Sequence, residues 1–405
     1  MTETEPGAPT VQGAGDFDPA AVLDPYDAVL LVSFGGPEQP EDVVPFLENV
    51  TRGRGIPRER LVEVGQHYFL FGGRSPINEQ CRALLGALRT ELDGRGIATP
   101  LYWGNRNWDP YLSDEVAALA AAGHRRVLAV LTSAYPSYSS CRQYRENLYD
   151  AVQGGAAELG VTVDKIRHYS DHPGFVAASV DATLAALDSL GEPGEGARLV
   201  FVTHSIPSTM AASSGPPPRS EAGAYVDWHL AVAAEVTRQV SERLGRPYAG
   251  DLAFCSRSGP PSQPWAEPDV NDHLAELKAA GVPAVVVVPI GFISDHMEVI
   301  YDLDTEAAET AAELGLPFAR AATAGTHPAF VAGLVDLLTE RAAATREEQP
   351  DRPVVRGGVV GWYDCQPDCC LNARQPDRRA LCQVPTDASA LAPAVPGAAV
   401  VGAAG

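Results

Sequence analysis

Histidine and carboxylate side chains stand at the ends of two apolar segments. His204 directly follows the apolar run Leu199–Thr203, and His296 and Glu298 closely follow the run Ala284–Ile290. Because ligands of open α/β sheets bind beyond the carboxyl ends of the strands, these side chains are candidates for one site. Imidazole nitrogen and carboxylate oxygen bind divalent ions such as Fe²⁺, and imidazole accepts protons near neutral pH. The alternative for each histidine is a hydrogen-bonded structural role.

Three carboxylates recur at steps of four residues: Glu298, Asp302 and Glu306. On an α-helix, which we predict from Glu298 onward, they drift only about 40° per step and form an acidic stripe. Like charges at this spacing destabilise an isolated helix, so the stripe is either solvated or in contact with cations. Solvation is the ordinary outcome. A route for a divalent ion is the alternative.

Further segments have the chemistry to bind a flat ligand with carboxylates at its edge. Guanidinium groups of the short basic loop at Arg52 and Arg54 suit carboxylates. Aromatic rings, hydroxyls and glycines are dense in residues 66–76 and in residues 133–144, of which the second segment directly follows a predicted strand. The alternative for both is a surface loop whose aromatic residues pack on the core.

Four of the seven cysteines are bunched near the end of the chain, at Cys365, Cys369, Cys370 and Cys382. In a cytosolic chain this favours metal binding over disulfides. The spacing C-x3-C-C-x11-C differs from the usual zinc-binding patterns. A reduced, metal-free segment is an alternative, and a structural zinc site is a weaker one.

Short β-branched runs alternate with long segments of helical period, which predicts an α/β fold with parallel sheets flanked by helices. The number of elements favours two lobes, with the first change of lobe near residues 133–134. The predicted strands are Ala28–Phe34, Arg126–Thr132, Leu199–Thr203 and Ala284–Ile290. The predicted helices are Leu84–Leu92, Asp114–Ala122, Pro173–Leu190, Ala222–Leu244 and Asp272–Ala280.

The 405 residues carry 30 basic and 52 acidic side chains, a net charge of −22 that disfavours nucleic acid and anionic membranes as partners. No segment approaches the roughly 20 apolar residues of a membrane span, and no basic leader precedes an apolar run. We therefore predict a cytoplasmic protein. Residues 1–24 and 384–405 lack an apolar period and are predicted to be disordered tails.

Taken in order, six segments resemble the ferrochelatase family over about residues 27–340. They read FGGP at 34–37, TRGRG at 51–55, FGGRSPIN at 71–78, SAYPSYSSC at 133–141, THSIP at 203–207 and PIGFISDHMEVIYDLD at 289–304. The resemblance implies two Rossmann-like lobes around a porphyrin cleft. Lobe I would comprise residues 25–133 and 322–343, lobe II residues 134–321, and a cluster-binding extension residues 344–383.

The resemblance also implies the chemistry, namely insertion of Fe²⁺ into a porphyrin with loss of two pyrrole protons. The matched His204 and Glu298 bind metal and take up protons, and Asp302 and Glu306 lie on the route of metal or protons. Porphyrin contacts carry over to Ser75, Tyr144 and Tyr68, with Arg52 and Arg54 as candidates for its carboxylates. Many family members have tyrosine at the position of Phe34, and phenylalanine cannot ligate iron there.

Some family members carry a [2Fe–2S] cluster on such an extension, with one further ligand from the body of the fold. Cys141 matches that ligand, which leaves one of the four late cysteines spare. We expect the ligands to be Cys141, Cys365, Cys369 and Cys370, with Cys382 as the alternative.

The acidic surface and the cluster extension favour the four-carboxylate coproporphyrin III as substrate, which makes the chain a lyase of haem biosynthesis that forms coproheme. The alternatives are a protoporphyrin IX ferrochelatase, a cobalt or nickel tetrapyrrole chelatase, and a non-catalytic haem or iron sensor. We expect a monomer or weak homodimer that meets other enzymes of haem synthesis.

Overall fold

Two four-stranded parallel sheets organise the protein. The computed structural model describes residues 21–217, 219–259 and 262–384. The first sheet has the order β2-β1-β3-β4 and the second the order β6-β5-β7-β8. The strands are β1 Ala28–Ser33, β2 Leu101–Asn105, β3 Arg126–Leu131, β4 Thr162–Lys165, β5 Arg198–His204, β6 Ala249–Cys255, β7 Val285–Val288 and β8 Phe318–Arg320. This confirms the predicted α/β class with two parallel sheets.

Helices connect the strands and cover both faces of each sheet, as parallel strands require. Every residue of β1 and of β7 is accordingly buried. The helices are α1 Val43–Val50, α2 Arg58–Phe69, α3 Ile77–Gly94, α4 Leu112–Ala121, α5 Gln143–Val152, α6 Gly155–Glu158, α7 Pro173–Leu190, α8 Ser208–Ala212, α9 Ala224–Leu244, α10 Val270–Ala279, α11 Ala308–Glu313 and α12 Pro328–Thr345.

The four strands predicted from sequence are the two inner strands of each sheet, β1, β3, β5 and β7. Inner strands are apolar on both faces, so their sequences form continuous β-branched runs. The edge strands are more polar or shorter. For example, β6 includes Gly250 and Asp251, which obscures its pattern.

The first lobe extends further along the chain than predicted. Strand β4 pairs in parallel with β3, so the first sheet continues to Lys165, beyond the predicted boundary at residue 133. The chain leaves β3 and makes one more crossover before it changes sheet. Helix α12 packs against both α3 and α7, which returns the C-terminal part of the fold to the first lobe.

The ends of the described chain also refine the prediction. Residues 21–24 form a turn that buries Leu23 completely, so the predicted N-terminal tail ends before them. The rest of the two predicted tails, residues 1–20 and 385–405, lies outside the described residues. Among the described helices none is both long and apolar enough to cross a membrane.

The acidic segment is not the α-helix we expected. Residues Val299–Ala307 form a π-helix, which then continues as α11. A π-helix has a wider turn than an α-helix, so the α-helical drift of 40° per step does not describe how Asp302 and Glu306 are arranged. Such π-helical segments are frequent at functional sites.

Beyond α12 the extension of residues 346–384 consists of turns and irregular segments that lie against the first lobe. Lys165 of β4 donates a hydrogen bond to the carbonyl oxygen of Trp362 (3.0 Å), and the Cys382 thiol contacts the carbonyl oxygen of Val163 (3.5 Å). The extension therefore covers the open edge of the first sheet, where unpaired backbone would otherwise be exposed.

Candidate active site

His204 and Glu298 meet at one edge of the second sheet. Because β5 and β7 are parallel neighbours, the chain emerges from both at the same edge. His204 ends β5, and Glu298 lies at the start of the π-helix that follows β7. The nitrogen His204 Nε2 lies 3.6 Å from Glu298 Oε1, and His296 Nδ1 lies 3.9 Å from Glu298 Oε2.

The backbone behind this pair is tightly packed. A β-carbon on Gly291, in the loop that leads to Glu298, would lie 2.1 Å from Thr203 Oγ1. Only glycine therefore allows this loop to lie against the end of β5. His204 Nδ1 forms a hydrogen bond with the carbonyl oxygen of Ser205, which turns Nε2 toward Glu298.

The two side chains form an ion pair that solvent can reach, since they are 32% and 50% exposed. Burial by itself lowers the pKa of His204, but the charge and hydrogen bond of Glu298, the hydrogen bond with Ser205 and the charge of Asp302 together raise that pKa to about 9. Burial by itself raises the pKa of Glu298, whereas the charge and hydrogen bond of His204 and the charge of His296 together hold it down at about 2. In the substrate-free protein at neutral pH, the imidazole therefore holds a proton and the carboxylate is ionised.

Asp302 is a further titratable group of the site. Burial and, to a smaller extent, the charges of Glu298 and Glu306 raise its pKa to about 7, although a hydrogen bond from Ser256 lowers it. The ordinary pKa of an aspartate is near 4. Asp302 can therefore take up or release a proton near neutral pH. Glu306 is exposed on the same π-helix.

Aromatic residues of the first lobe face this edge. His67 of α2 stacks on Tyr301 of the π-helix, with ring centroids 3.9 Å apart and planes 9° from parallel. Tyr68 is half-buried beside Phe46, and the nearby charge of Glu298 adds to burial in raising its pKa. Phe34 packs edge to face on the same Phe46 ring. The cleft predicted between the two lobes would therefore have aromatic walls on this side.

Arg106 is a candidate site residue that the sequence analysis did not identify. Its guanidinium lies 4.4 Å from the ring centroid of Tyr144 and 5.5 Å from that of Phe34. Arg106 follows the edge strand β2 directly, and because that strand was not recognised, neither was the arginine. Among the described residues no carboxylate lies within 4 Å of it, and burial lowers its pKa.

The other residues predicted to contact porphyrin differ in their exposure to solvent. Arg52 and Arg54 are exposed, and Arg52 donates a hydrogen bond to Asn49. Partial desolvation of the Arg54 guanidinium, which remains accessible to solvent, and the nearby charge of Arg374 both lower the pKa of Arg54. Ser75 is buried behind the turn at Gly36, and its backbone N–H donates to the carbonyl oxygen of Pro37. Tyr144 is buried under Arg106.

Thiols of the extension meet Cys141 of the first lobe. Cys365 contacts both Cys141 and Cys369, and these contacts hold the pKa of Cys365 well below that of an ordinary thiol. Cys369 Sγ lies 3.8 Å from Cys370 Sγ. Cys370 Sγ also accepts a hydrogen bond from the backbone N–H of Gly215 (3.1 Å). All four side chains are buried.

Cys382 stands apart from this four-thiol group, because its thiol contacts the carbonyl oxygen of Val163 instead. Within the described part of the chain, no group of three or more His, Cys, Asp or Glu side chains surrounds one point closely enough to hold a single metal ion. A cavity lined by Cys141, Lys165 and residues 166–169 adjoins the thiols.

Known proteins resemble this chain over most of its length. A sequence model of the ferrochelatase family matches residues 26–342. The coproporphyrin III ferrochelatase of Streptomyces griseus subsp. griseus is 57% identical over 363 residues, which cover 89% of this chain and 96% of that protein. The coproporphyrin III ferrochelatase of Streptomyces coelicolor is 55% identical over 362 residues, 88% of this chain and 96% of that protein.

A solved structure, SirB from Bacillus subtilis with Fe³⁺, shares 13% identity and a TM-score of 0.47 with this chain, and the match covers 79% of this chain and 97% of that one. This likeness is too weak to bear on function.

Proposed function

The chain belongs to the ferrochelatase family, and from that premise we propose that it inserts Fe²⁺ into coproporphyrin III to give coproheme in haem b biosynthesis. The observation that carries the proposal is the His204–Glu298 pair, which stands at the edge of the second sheet and faces the aromatic residues of the first lobe. Relatives with more than half of their residues identical are named for this reaction.

Metal insertion removes two protons from the pyrrole nitrogens, so the site needs a base and a metal ligand close together. His204 supplies an imidazole, and Glu298 supplies a carboxylate of low pKa that stays ionised. A dication beside Glu298 weakens the attraction between Glu298 and the imidazolium, and so lowers the pKa of His204. Arrival of the metal thus favours the neutral imidazole that can accept a pyrrole proton.

Protons must then leave the cleft. Asp302 lies beyond Glu298 on the π-helix, with a pKa near 7 that allows it to accept a proton and pass it on. Glu306 is exposed further along the same helix. We assign Asp302 and Glu306 to the route of protons or metal between the pair and solvent.

The substrate's carboxylates have cationic partners at the opposite side of the cleft. Arg106 lies over the rings of Tyr144 and Phe34, and Arg54 lies near Arg374. Among the described residues, none of these three guanidinium groups has a carboxylate oxygen within 4 Å. A protein of net charge −22 that leaves these guanidinium groups free of carboxylates is suited to an anionic ligand. This supports a substrate with four carboxylates over one with two.

We further propose that Cys141, Cys365, Cys369 and Cys370 hold a [2Fe–2S] cluster and that Cys382 is the spare cysteine. The four thiols fit this group because they form a chain of contacts, from Cys141 to Cys365, from Cys365 to Cys369 and from Cys369 to Cys370. Each iron of a two-iron cluster binds only two of the four thiolates. The Nη1 atom of the fully buried Arg145 has no hydrogen-bond partner in the described structure. A bound cluster supplies a one-electron redox centre, and no step of metal insertion depends on it here.

Anaerobic turnover of the purified protein tests the proposed reaction. Fe²⁺ is supplied with either coproporphyrin III or protoporphyrin IX, and the porphyrin absorbance is followed. We expect faster turnover of coproporphyrin III. Faster turnover of protoporphyrin IX would contradict the substrate, and binding without turnover of either would contradict the enzymatic function. A cytoplasmic location, a monomer or weak homodimer, and contact with other haem-synthesis enzymes remain predictions.

A further inference from the structure

Two cations are buried beside the four-thiol group. Arg145 on α5 is 0% exposed and Lys165 on β4 is 1% exposed. The chain has only two lysines, Lys165 and Lys278, and Lys278 is exposed. Burial of a positive charge costs several kcal/mol unless an anion compensates it. Both positions therefore need an anionic partner.

No carboxylate provides that partner. Arg145 donates hydrogen bonds to the carbonyl oxygens of Leu381 (2.8 Å) and Cys382 (3.0 Å). Lys165 donates to the carbonyl oxygens of Trp362 (3.0 Å) and Ile166 (3.4 Å). Within the described residues, neither side chain has a carboxylate oxygen within 4 Å.

Neighbouring buried arginines show how this protein otherwise compensates such charges. Arg142, 2% exposed, pairs with Glu146 at 3.3 Å, and Arg167, 1% exposed, pairs with Glu340 at 2.8 Å. Arg145 lies only three residues from Arg142, so the missing carboxylate is particular to the thiol side of α5. The groups that influence Arg145 most strongly, besides its burial, are the thiols of Cys365, Cys141, Cys382 and Cys369, which raise its pKa.

We propose that Arg145 and Lys165 are the counter-charges of the metal cluster held by the four-thiol group, and that they set its binding and its reduction potential. This rests on the proposed cluster. Four thiolates around a [2Fe–2S]²⁺ core carry a net charge of 2−, which the two cations neutralise. The electron that reduces the cluster adds a third negative charge next to them, so the cations stabilise the reduced form as well.

Lys165→Gln is the discriminating variant, because glutamine keeps a hydrogen-bond donor near the two carbonyl oxygens and removes only the charge. We expect it to bind less cluster, measured as iron and acid-labile sulfide per chain, or to shift the reduction potential to a more negative value, measured by a spectroscopic redox titration. Lys165→Arg should restore both quantities. Lys278→Gln removes the other lysine, which is exposed, and should leave both unchanged.

The outcomes separate the two proposals. A wild-type protein without iron, sulfide and the optical spectrum of a [2Fe–2S] cluster would contradict the cluster itself. A cluster of unchanged content and potential in Lys165→Gln would overturn the counter-charge role alone. If Lys165→Gln does not fold, Arg145→Gln and its conservative partner Arg145→Lys take the same measurements. Equal cluster content and potential in those two variants would likewise overturn the proposal.

Discussion

The imidazole of His67 lies flat against the phenol ring of Tyr301, with ring centroids 3.9 Å apart and planes within 9°. The contact joins α2 of the first lobe to the π-helix of the second, across the cleft that faces His204 and Glu298. It therefore links the two lobes close to the His204–Glu298 pair, and we expect it to restrict the entry of a flat substrate there.

Loss of this stack should speed the entry of porphyrin. Stacked aromatic pairs contribute about 0.5–1.5 kcal/mol, so His67→Ala should raise the association rate of coproporphyrin III by a factor of about 2 to 10. Stopped-flow fluorescence quenching measures the rate. His124→Ala removes a histidine that contacts Tyr102 within the first lobe and should not change it. A slower association in His67→Ala would show that the stack aids binding instead.

Arg106 should recognise a substrate carboxylate. A hydrogen bond to a charged group contributes about 1.5–3 kcal/mol, so Arg106→Leu should raise the KM for coproporphyrin III by roughly 10- to 100-fold. Steady-state kinetics at fixed Fe²⁺ measure this. Arg243→Leu removes an exposed arginine paired with Asp181 and serves as the matched control. An unchanged KM in Arg106→Leu would contradict the cationic role of this side of the cleft.

Asp302 should destabilise the folded protein at high pH. Its pKa is raised to about 7 in the folded chain from an ordinary value of 3.8, mainly by burial. A carboxyl with a raised folded pKa favours folding only when protonated, so its cost grows as pH rises from about 4 to 7. Asp302→Asn should therefore raise the Tm at pH 8, and the difference should vanish near pH 4.

The control for Asp302 is Asp304→Asn on the same π-helix. Asp304 forms an ion pair with Arg320, so its loss should lower the Tm at pH 8 by a small amount, as for other exposed pairs. Thermal unfolding at both pH values compares the variants. An Asp302→Asn effect of equal size at pH 4 and pH 8 would show that the raised pKa is not its cause.

The cysteines should differ in their importance for the cluster. Cys365 contacts two of the other thiols, so Cys365→Ser should remove most of the visible absorbance of the cluster. Cys382 instead contacts the carbonyl oxygen of Val163, so Cys382→Ser should keep that absorbance. Iron and sulfide analysis checks both variants. Loss of the cluster in Cys382→Ser, with retention in Cys370→Ser, would make Cys382 the fourth ligand.

The inner strands and the proximity of His204 and Glu298 could be predicted because their signals are local. The runs that became β5 and β7 are continuous and apolar, and parallel pairing then brings their ends together. His204 follows one of these runs and Glu298 follows the other, so their proximity could be predicted from the sequence. The same reasoning could not find Arg106, because the edge strand β2 before it is short, ends in glycine and asparagine and is only partly buried.

Other features depend on tertiary structure that no local pattern reports. The spacing of Glu298, Asp302 and Glu306 suits an α-helix, yet the segment is a π-helix. Because β4 pairs with β3, the first lobe includes one more crossover and ends later in the chain than predicted. Arg145 and Lys165 lie 20 residues apart in sequence and resemble ordinary surface cations until the fold buries them beside the thiols.

The measurement that tests the account most directly is single-turnover metal insertion with His204→Ala. Pre-bound coproporphyrin III is mixed anaerobically with Fe²⁺, and the porphyrin absorbance is followed beside wild type and His124→Ala. We predict that His204→Ala still binds porphyrin but inserts metal at least about 100-fold more slowly, the usual contribution of a positioned base. Insertion at the wild-type rate in His204→Ala would contradict the central role of the His204–Glu298 pair.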